Sequence, residues 1–162
     1  MNIYTVSFFG HRKLSDTAET EKCLESLVSG LIRSKEYVEF LVGRGGEFDM
    51  LVSSVIRRTI RKIDYGNTSH ILVLPYLTAE YLNNCDSFGE YYSSVEVCER
   101  SAAVHFRAAY FERNRAVIER SDMVVCYVER QSVGAYKAMH YAERNDKTVI
   151  NIAEDNAYNR QQ

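Results

Sequence analysis

Residues 42–49, which read VGRGGEFD, decide how this chain is organised. They follow an apolar run over residues 37–42 and precede an amphipathic pattern over residues 50–63. A strand, a glycine-rich turn and a helix in that order aim backbone N–H groups and a helix N-terminus at an anion. The glycines also let the backbone pass close to a ligand. The motif is neither a Walker loop nor GxGxxG, so a tight strand-to-helix connection explains it about as well as a phosphate site.

The totals of the sequence describe an ordinary globular protein. With 162 residues, 46% of them apolar and 26% charged, the chain has the size and composition of one domain, and we expect residues 1–162 to form it. With a formal net charge of -2, the protein as a whole does not attract nucleic acid or an anionic membrane electrostatically, so neither is expected as a partner. The N-terminus lacks a signal-peptide pattern and no apolar run approaches about 18 residues, which predicts a cytoplasmic location.

The cysteines and histidines show no pattern of metal ligands. The four cysteines include no CxxC pair, and Cys23 and Cys126 lie in apolar patterns, as reduced core thiols do. His70, His105 and His140 are scattered, without ligand spacing to a cysteine or a carboxylate. The sequence therefore predicts no metal site and no bound cofactor.

Apolar runs and helical periodicities alternate along the chain. Runs rich in β-branched and aromatic residues predict strands at residues 3–9, 38–42, 70–74, 123–128 and 148–152. Helical periodicities predict helices at about residues 16–34, 50–63 and 102–120 and after residues 132–134, the first beginning with a capping box at Asp16. Continuous apolar strands separated by helices imply a parallel sheet covered on both faces. The predicted class is α/β, a three-layer αβα sandwich with a mostly parallel sheet of about five strands.

Two segments of the sequence are irregular. Residues 75–97 hold tyrosines and a phenylalanine among polar residues, and aromatic residues at such a density rarely face water without a reason. A lid over a ligand, a surface that makes a homo-oligomer, and a loop packed on the sheet are equally good interpretations. The polar tail, residues 155–162, is expected to be frayed.

Three turns of the predicted sheet fall on one edge. In open parallel sheets, ligands bind beyond the carboxyl ends of the strands, at the point where the strand order reverses. Gly10-His11-Arg12 follows the first predicted strand, residues 43–49 follow the second, and the turn over residues 132–134 follows the fourth. We therefore expect the three turns to form one ligand-binding rim.

Four short segments, in this order, resemble the SLOG superfamily, a Rossmann-like group that includes the YpsA-like proteins, DprA and the LOG-type phosphoribohydrolases. The segments are FGHR at 9–12, GRGGEFD at 43–49, RN at 113–114 followed by ERSD at 119–122, and SVG at 132–134. The first is close to the group's G-x-R turn, and the third resembles its R-N-x-x-(I/V)-x-x-S-D run. The LOG enzymes carry Pro-Gly-Gly-x-Gly-Thr-x-x-Glu after the fourth strand, whereas ERQSVGAYK, residues 129–137, has no glutamate at the matching place.

The resemblance implies a Rossmann-like fold with a site for a nucleotide or a nucleotide-derived ligand. The ligand-binding residues that it and the rim indicate are Gly10, His11, Arg12, Gly43, Arg44, Gly45, Gly46, Arg113, Asn114, Ser132 and Gly134. Because the LOG glutamate is missing, the leading hypothesis is a sensor or regulator. The alternative is an enzyme that cleaves or transfers at the N-glycosidic bond of a nucleotide, as a phosphoribohydrolase or deoxyribosyltransferase does. A DNA-binding module by analogy with DprA is disfavoured by the acidic net charge.

Each polar candidate also has a structural interpretation. Arg12 suits bidentate phosphate recognition, or it forms a salt bridge to an acidic neighbour on the rim, and the same reasoning applies to Arg44. His11 is either a phosphate donor or proton carrier, or a packed structural histidine. Arg113 and Asn114 either contact the ligand or tie their helix to a neighbouring loop.

Two carboxylates are the catalytic candidates. Glu47 would orient a ribose hydroxyl or act as a general base. Asp49 has the same options and is also the natural N-cap of its helix. The two lie too close in sequence to show whether their side chains face each other, so whether any reaction is catalysed stays open.

Overall fold

Six parallel strands form one sheet in the computed structural model, which describes residues 1–63, 65–131 and 134–161. The strands are β1 (Ile3–Gly10), β2 (Tyr37–Val42), β3 (Thr68–Leu74), β4 (Ser94–Val97), β5 (Met123–Tyr127) and β6 (Thr148–Asn151). Their order is β4-β3-β2-β1-β5-β6, and every neighbouring pair is parallel. The predicted α/β class and parallel sheet are confirmed. The strand that was not predicted is β4, which lies at the edge of the sheet and inside the segment predicted to be irregular.

Helices cover both faces of this sheet. They are α1 (Thr17–Ser34), α2 (Glu47–Ile63), α3 (Ala79–Asn83), α4 (Cys85–Tyr91), α5 (Glu99–Ala102), α6 (Phe106–Arg120), α7 (Ala135–Arg144) and α8 (Ile152–Gln161). On one face α1 packs against α2 and α8, and on the other α6 packs against α5 and α7. This is the predicted three-layer sandwich. Within the described ranges, none of the helices is both long enough and apolar enough to cross a membrane.

Strand β1 shows why the central strands are apolar without alternation. Val6 and Phe8 pack into the hydrophobic cluster that includes α1 and α2, whereas Phe9 packs into the cluster with α6 and α7. All three side chains are buried. A central strand of a parallel sheet is covered on both faces, so both alternating sets of its side chains must be apolar.

The strand order reverses beside β1. From β1 the chain builds the sheet outward through β2, β3 and β4, and then returns to place β5 on the other side of β1. The connections after β1 and β5 lead to helices on opposite faces, which opens a crevice at the carboxyl edge. The turns after these two strands therefore flank the switch point, and the turn after β2 lies one strand away.

The segment 75–97 is regular, which corrects the prediction of an irregular insert. It forms α3, α4 and the edge strand β4. Phe88 and Tyr92 are 4% and 3% exposed, and they pack into the core cluster that includes β2 and β3. Of the three interpretations of this segment, packing on the sheet is the one observed for these two rings. The helices α3 and α4 are too short to show a helical periodicity in the sequence.

The tail is also regular, which corrects the prediction that it is frayed. It continues from β6 as α8, where Asn156 Nδ2 donates to Thr20 Oγ1 at 3.1 Å. Arg160 pairs with Asp16, so Asp16 holds the N-cap position of α1 without making the predicted side-chain capping bond. Because both contacts join residues at opposite ends of the chain, no local sequence pattern predicts them. The helix predicted over residues 102–120 begins later, at Phe106, as α6, and Ala102 is the last residue of the separate short helix α5.

His70 is a buried histidine of β3. Its side chain is 2% exposed, and its Nε2 lies 3.0 Å from Ser53 Oγ. The centre of its ring lies 4.9 Å from that of Tyr92, and its Nδ1 has no hydrogen-bond partner among the described residues. Burial, aided by the positive charge of Arg57, lowers the pKa of His70 to about 4. The imidazole is therefore neutral in the folded protein at neutral pH.

Acid is expected to destabilise the fold through His70. Below its ordinary pKa of 6.5, the unfolded chain binds a proton that the folded protein takes up only near pH 4. The free energy of unfolding should therefore fall by about 2 to 3 kcal/mol between neutral pH and about pH 4.5. Urea unfolding at both pH values measures this loss, which His70→Gln should remove and the partly exposed control His140→Gln should retain. An equal loss in His70→Gln and the unchanged protein contradicts the prediction.

Candidate functional site

The turns after β1 and β2 touch each other, backbone against backbone. The N–H of Glu47 donates to the carbonyl of Arg12 at 2.8 Å, and the Glu47 carboxylate accepts from the N–H of Leu14 at 2.7 Å. A Cβ on Gly46 would lie 2.5 Å from Arg12 Cα, far inside van der Waals contact. Glycine at position 46 is therefore required by the contact between the two turns.

Gly10 and Gly43 are also places where a side chain has no room. A Cβ on Gly10 would lie 2.3 Å from Cγ of Phe48, whose buried ring packs against the end of β1. A Cβ on Gly43 would lie 3.0 Å from Asp49 Oδ2 and 3.4 Å from Arg113 Nη2. The glycines bring a buried ring and two charged groups close to the strand ends.

A cavity of about 580 Å³ lies over the carboxyl ends of the central strands. The predicted site residues that line it are Gly10, His11, Arg12, Gly43, Arg44, Gly45, Asp49, Arg113, Asn114 and Gly134. Gly46 and Glu47 do not line it, and Ser132 lies outside the described residues. In the part of the chain that the structure describes, no three His, Cys, Asp or Glu side chains are grouped to hold a metal ion.

Arg12 reaches the cavity as an exposed, unpaired cation. It follows the end of β1 and so lies beside the switch point. Within the described ranges, its guanidinium forms neither the ion pair that was the structural alternative nor a side-chain hydrogen bond. All five of its N–H donors are thus available to an anion in the cavity.

His11 ties the turn after β1 to the turn after β5. The residue is buried, and its ring Nε2 accepts a hydrogen bond from the backbone N–H of Glu129 at 3.0 Å. The backbone N–H of His11 donates to the carbonyl of Tyr127 at 3.3 Å. Since Nε2 accepts, the proton of the neutral ring is assigned to Nδ1. Burial lowers the pKa of His11, and nearby Arg130 acts in the same direction. The structure thus gives His11 the packed, hydrogen-bonded position.

Arg44 is engaged by the segment 75–97. Its Nε donates to Glu80 Oε1 at 2.7 Å, and its Nη1 donates to the Tyr92 hydroxyl at 3.0 Å. The guanidinium also lies 4.5 Å from the centre of the Phe88 ring, a cation–π contact. Arg44 therefore forms the salt bridge that was its alternative to phosphate recognition.

Arg113 is a buried cation that joins α6 to the ends of β2 and β3. Its Nε donates to the carbonyl of Val73 at 2.8 Å, and its Nη2 donates to the carbonyl of Val42 at 2.9 Å. Its Nη1 donates to Asn114 Oδ1 at 3.0 Å, and only 5% of the residue is exposed. Burial lowers the pKa of Arg113, while the negative charge of Asp49 opposes that shift. The tying role predicted as an alternative is thus observed, at a residue that also lines the cavity.

Of the two catalytic candidates, only Asp49 borders the cavity. It lies inside the first turn of α2, which begins at Glu47, so it is not the N-cap. Its Oδ2 instead accepts from the N–H of Gly45 at 2.7 Å. Burial raises the pKa of Asp49, against the opposing effects of the Gly45 N–H and the Arg113 charge. The Glu47 carboxylate instead accepts the hydrogen bond from the N–H of Leu14, in the loop before α1.

Sequence patterns do not identify three residues of the cavity wall, Glu80, Tyr110 and Arg130. Tyr110 is 53% exposed, and its ring packs edge-on against Tyr76 with 6.2 Å between ring centres. It precedes Arg113 by three residues, so helical spacing already places both on one face, a signal available in the sequence. Glu80 lies in a short helix without such a signal, and Arg130 follows β5, where it pairs with its neighbour in sequence.

The fold and the rim define a Rossmann-like α/β domain. No protein-family model matches the chain, and no curated protein matches it in sequence. DNA processing protein A from Helicobacter pylori is similar in structure, with a TM-score of 0.62 and 17% identity over 90% of this chain and 63% of that chain. DprA from Streptococcus pneumoniae has a TM-score of 0.51 and 13% identity over 94% of this chain and 60% of that chain.

These similarities confirm the predicted Rossmann-like fold and its likeness to the fold of DprA. The chain spans less than two thirds of the length of either structure, and at these identities the likeness concerns the fold alone. The structure from Helicobacter pylori is described for its single-stranded DNA binding mode. The expectation that nucleic acid is not a partner of this chain is therefore not supported.

Replacing Arg113 with lysine is expected to destabilise the protein by about 2 to 4 kcal/mol. A lysine ammonium lacks the planar fork that donates to the Val42 and Val73 carbonyls at once. Urea unfolding measures the difference. Arg115→Lys, in an exposed position of the same helix, is the matched control and should change the free energy of unfolding by less than about 0.5 kcal/mol. Equal effects of the two substitutions would contradict a stabilising role for the Arg113 contacts.

Proposed function

We propose that this protein binds a nucleotide or nucleotide-derived ligand in the rim cavity and acts as a cytoplasmic sensor or regulator. The observation that carries the proposal is the Arg12 guanidinium, which has no ion-pair partner in the described part of the chain and shares one cavity with the exposed ring of Tyr110. A cation matches a phosphate, and an exposed aromatic ring matches a nucleobase. The four cysteines are free, which suits the reducing cytoplasm.

The switch point provides the phosphate end of the proposed site. Arg12 and Arg130 follow β1 and β5, and both line the cavity. Gly134 and Ala135 at the start of α7 line it as well, and a helix N-terminus favours negative charge. The proposed phosphate therefore meets two guanidinium groups and the positive end of a helix dipole.

The size of the cavity fits a mononucleotide. Its walls run from the loop after β3 to the loop after β5, across the ends of four adjacent strands. Strands spaced by about 4.8 Å give a span of about 14 Å, enough for a base, a sugar and a phosphate in line. A volume of about 580 Å³ lies within the range of small-molecule sites.

The base end of the proposed site is Tyr110. Half of this residue is exposed although its ring packs against Tyr76, so one side stays open to a ligand. Stacking on such a ring tolerates every base, since each base has a π-face. The geometry thus supports nucleotides as a class without selecting one base.

Substituting Arg12 tests the proposal. Isothermal titration calorimetry with the ribonucleoside 5′-monophosphates should detect binding to the unchanged protein, and Arg12→Ala should weaken it at least about tenfold, because a charge-assisted contact to phosphate is lost. Arg61→Ala, in the last turn of α2 and away from the cavity, is the matched control and should bind normally. Absence of binding at millimolar concentration, or equal affinities of Arg12→Ala and Arg61→Ala, would overturn the proposal.

A second candidate function is cleavage or transfer at the N-glycosidic bond of the nucleotide. Asp49 favours it, because its carboxyl borders the cavity and burial raises its pKa. A carboxyl that keeps its proton to higher pH than an ordinary aspartate suits donation to a leaving base.

Release of free base from the same nucleotides tests this second function by chromatography. Asp49→Asn keeps an acceptor for the Gly45 N–H but removes the acid, so release should fall about 100-fold or more while binding persists. Asp86→Asn, at an exposed aspartate of α4, is the control and should release base normally. If no nucleotide is cleaved by the unchanged protein, the enzymatic alternative is wrong and the binding proposal stands.

A further inference from the structure

The end of the cavity beside β2 and β3 carries a carboxylate with open acceptor positions. Glu80, in α3, lines the cavity and is half exposed. Its Oε1 accepts from Arg44, whereas within the described residues its Oε2 has no hydrogen-bond partner. Asp49 is the other carboxylate of the described cavity wall; its Oδ2 accepts from the N–H of Gly45, and burial raises its pKa, so it ionises less readily than an ordinary aspartate. Glu80 is therefore the acceptor that a ligand at this end would meet.

The Glu80 carboxylate is held in place by Arg44. Arg44 donates to it at 2.7 Å, and Arg44 is itself fixed by the Tyr92 hydroxyl and the Phe88 ring. Phe88 and Tyr92 are buried in the core, so this support is rigid. A carboxylate fixed in this way loses little conformational freedom when a ligand binds, and the contact is correspondingly favourable.

The charges of the cavity are therefore separated along its length. Arg12 and Arg130 lie beside β1 and β5, whereas Glu80 follows β3 and pairs with Arg44. The other cation at this end of the described wall, Arg113, is buried and donates to the backbone carbonyls of Val42 and Val73. A phosphate at the Glu80 end would meet a negative charge. A hydroxyl group there would donate a hydrogen bond to an ionised acceptor, which is stronger than a bond between neutral groups.

We propose that Glu80 accepts a hydrogen bond from the 2′-hydroxyl of the bound nucleotide, so that the site prefers ribonucleotides to 2′-deoxyribonucleotides. This inference rests on the proposed function and names the sugar that the site takes. Arg44 is then a positioning residue, which orients the Glu80 carboxylate and does not bind phosphate. Because a strand of DNA offers no 2′-hydroxyl and places further phosphates along the cleft, the same carboxylate disfavours it.

Paired ligands test the inference. Calorimetry compares each of the four ribonucleoside 5′-monophosphates with its 2′-deoxy counterpart. The unchanged protein should bind the ribonucleotide about tenfold more tightly, the effect of one hydrogen bond to a charged group. Glu80→Ala should lower the affinity for the ribonucleotide to the level of the deoxynucleotide. The affinity for the deoxynucleotide should not change. Glu80→Gln, which keeps the shape and loses the charge, should give an intermediate preference.

Controls separate the possible failures. Glu90→Ala, at an exposed glutamate of α4 outside the cavity wall, should keep the full preference, and circular dichroism confirms that each variant is folded. Arg12→Ala should weaken both sugars equally. Equal binding of both sugars by the unchanged protein, or an equal loss for both in Glu80→Ala, overturns the inference while the proposed function stands. Failure of every nucleotide to bind overturns both.

Discussion

One buried cation, Arg113, holds the rim together. Its guanidinium bridges the carbonyls of Val42 and Val73, and so fixes α6 to the ends of β2 and β3. A charge this deep is tolerated only when its donors are satisfied, which the two carbonyls and Asn114 Oδ1 provide. Because an arginine stays protonated at any ordinary pH, the floor of the cavity carries a permanent positive charge. The same group thus serves stability and the electrostatics of the site.

The glycine-rich turn serves packing as much as any ligand. Gly46 is required because the Arg12 backbone passes over it, and Gly10 is required because Phe48 packs against it. These contacts press the turns after β1 and β2 together, and the Glu47 carboxylate secures the loop that follows. The exposed position of Arg12 is a consequence, since its backbone is fixed by the Glu47 N–H while its side chain has no partner among the described residues. A phosphate-loop appearance in sequence can therefore arise from the demands of two crossing turns.

Local patterns predicted what is local. The apolar strands, the long helices and the turns that meet at the rim follow from periodicity and from the rules of parallel sheets, and most candidate side chains line one cavity as a result. What sequence alone missed depends on distant partners. Glu47 looked like a ligand contact but bonds Leu14, and the polar tail is a helix because Asn156 and Arg160 find partners on α1 and its N-cap. No window of sequence contains both members of such pairs.

The charge distribution implies that the proposed nucleotide would be held by short-range contacts. With a net charge of -2, the protein has little long-range field to steer an anion toward the rim. Arg44 is neutralised by Glu80, so the free positive charge of the wall is concentrated beside the switch point. Proteins that bind nucleic acid strands gain affinity by neutralising many phosphates along a groove. The proposed nucleotide instead has parts that differ chemically from one end to the other, as do the cluster of cations, the aromatic ring and the fixed carboxylate of this cleft.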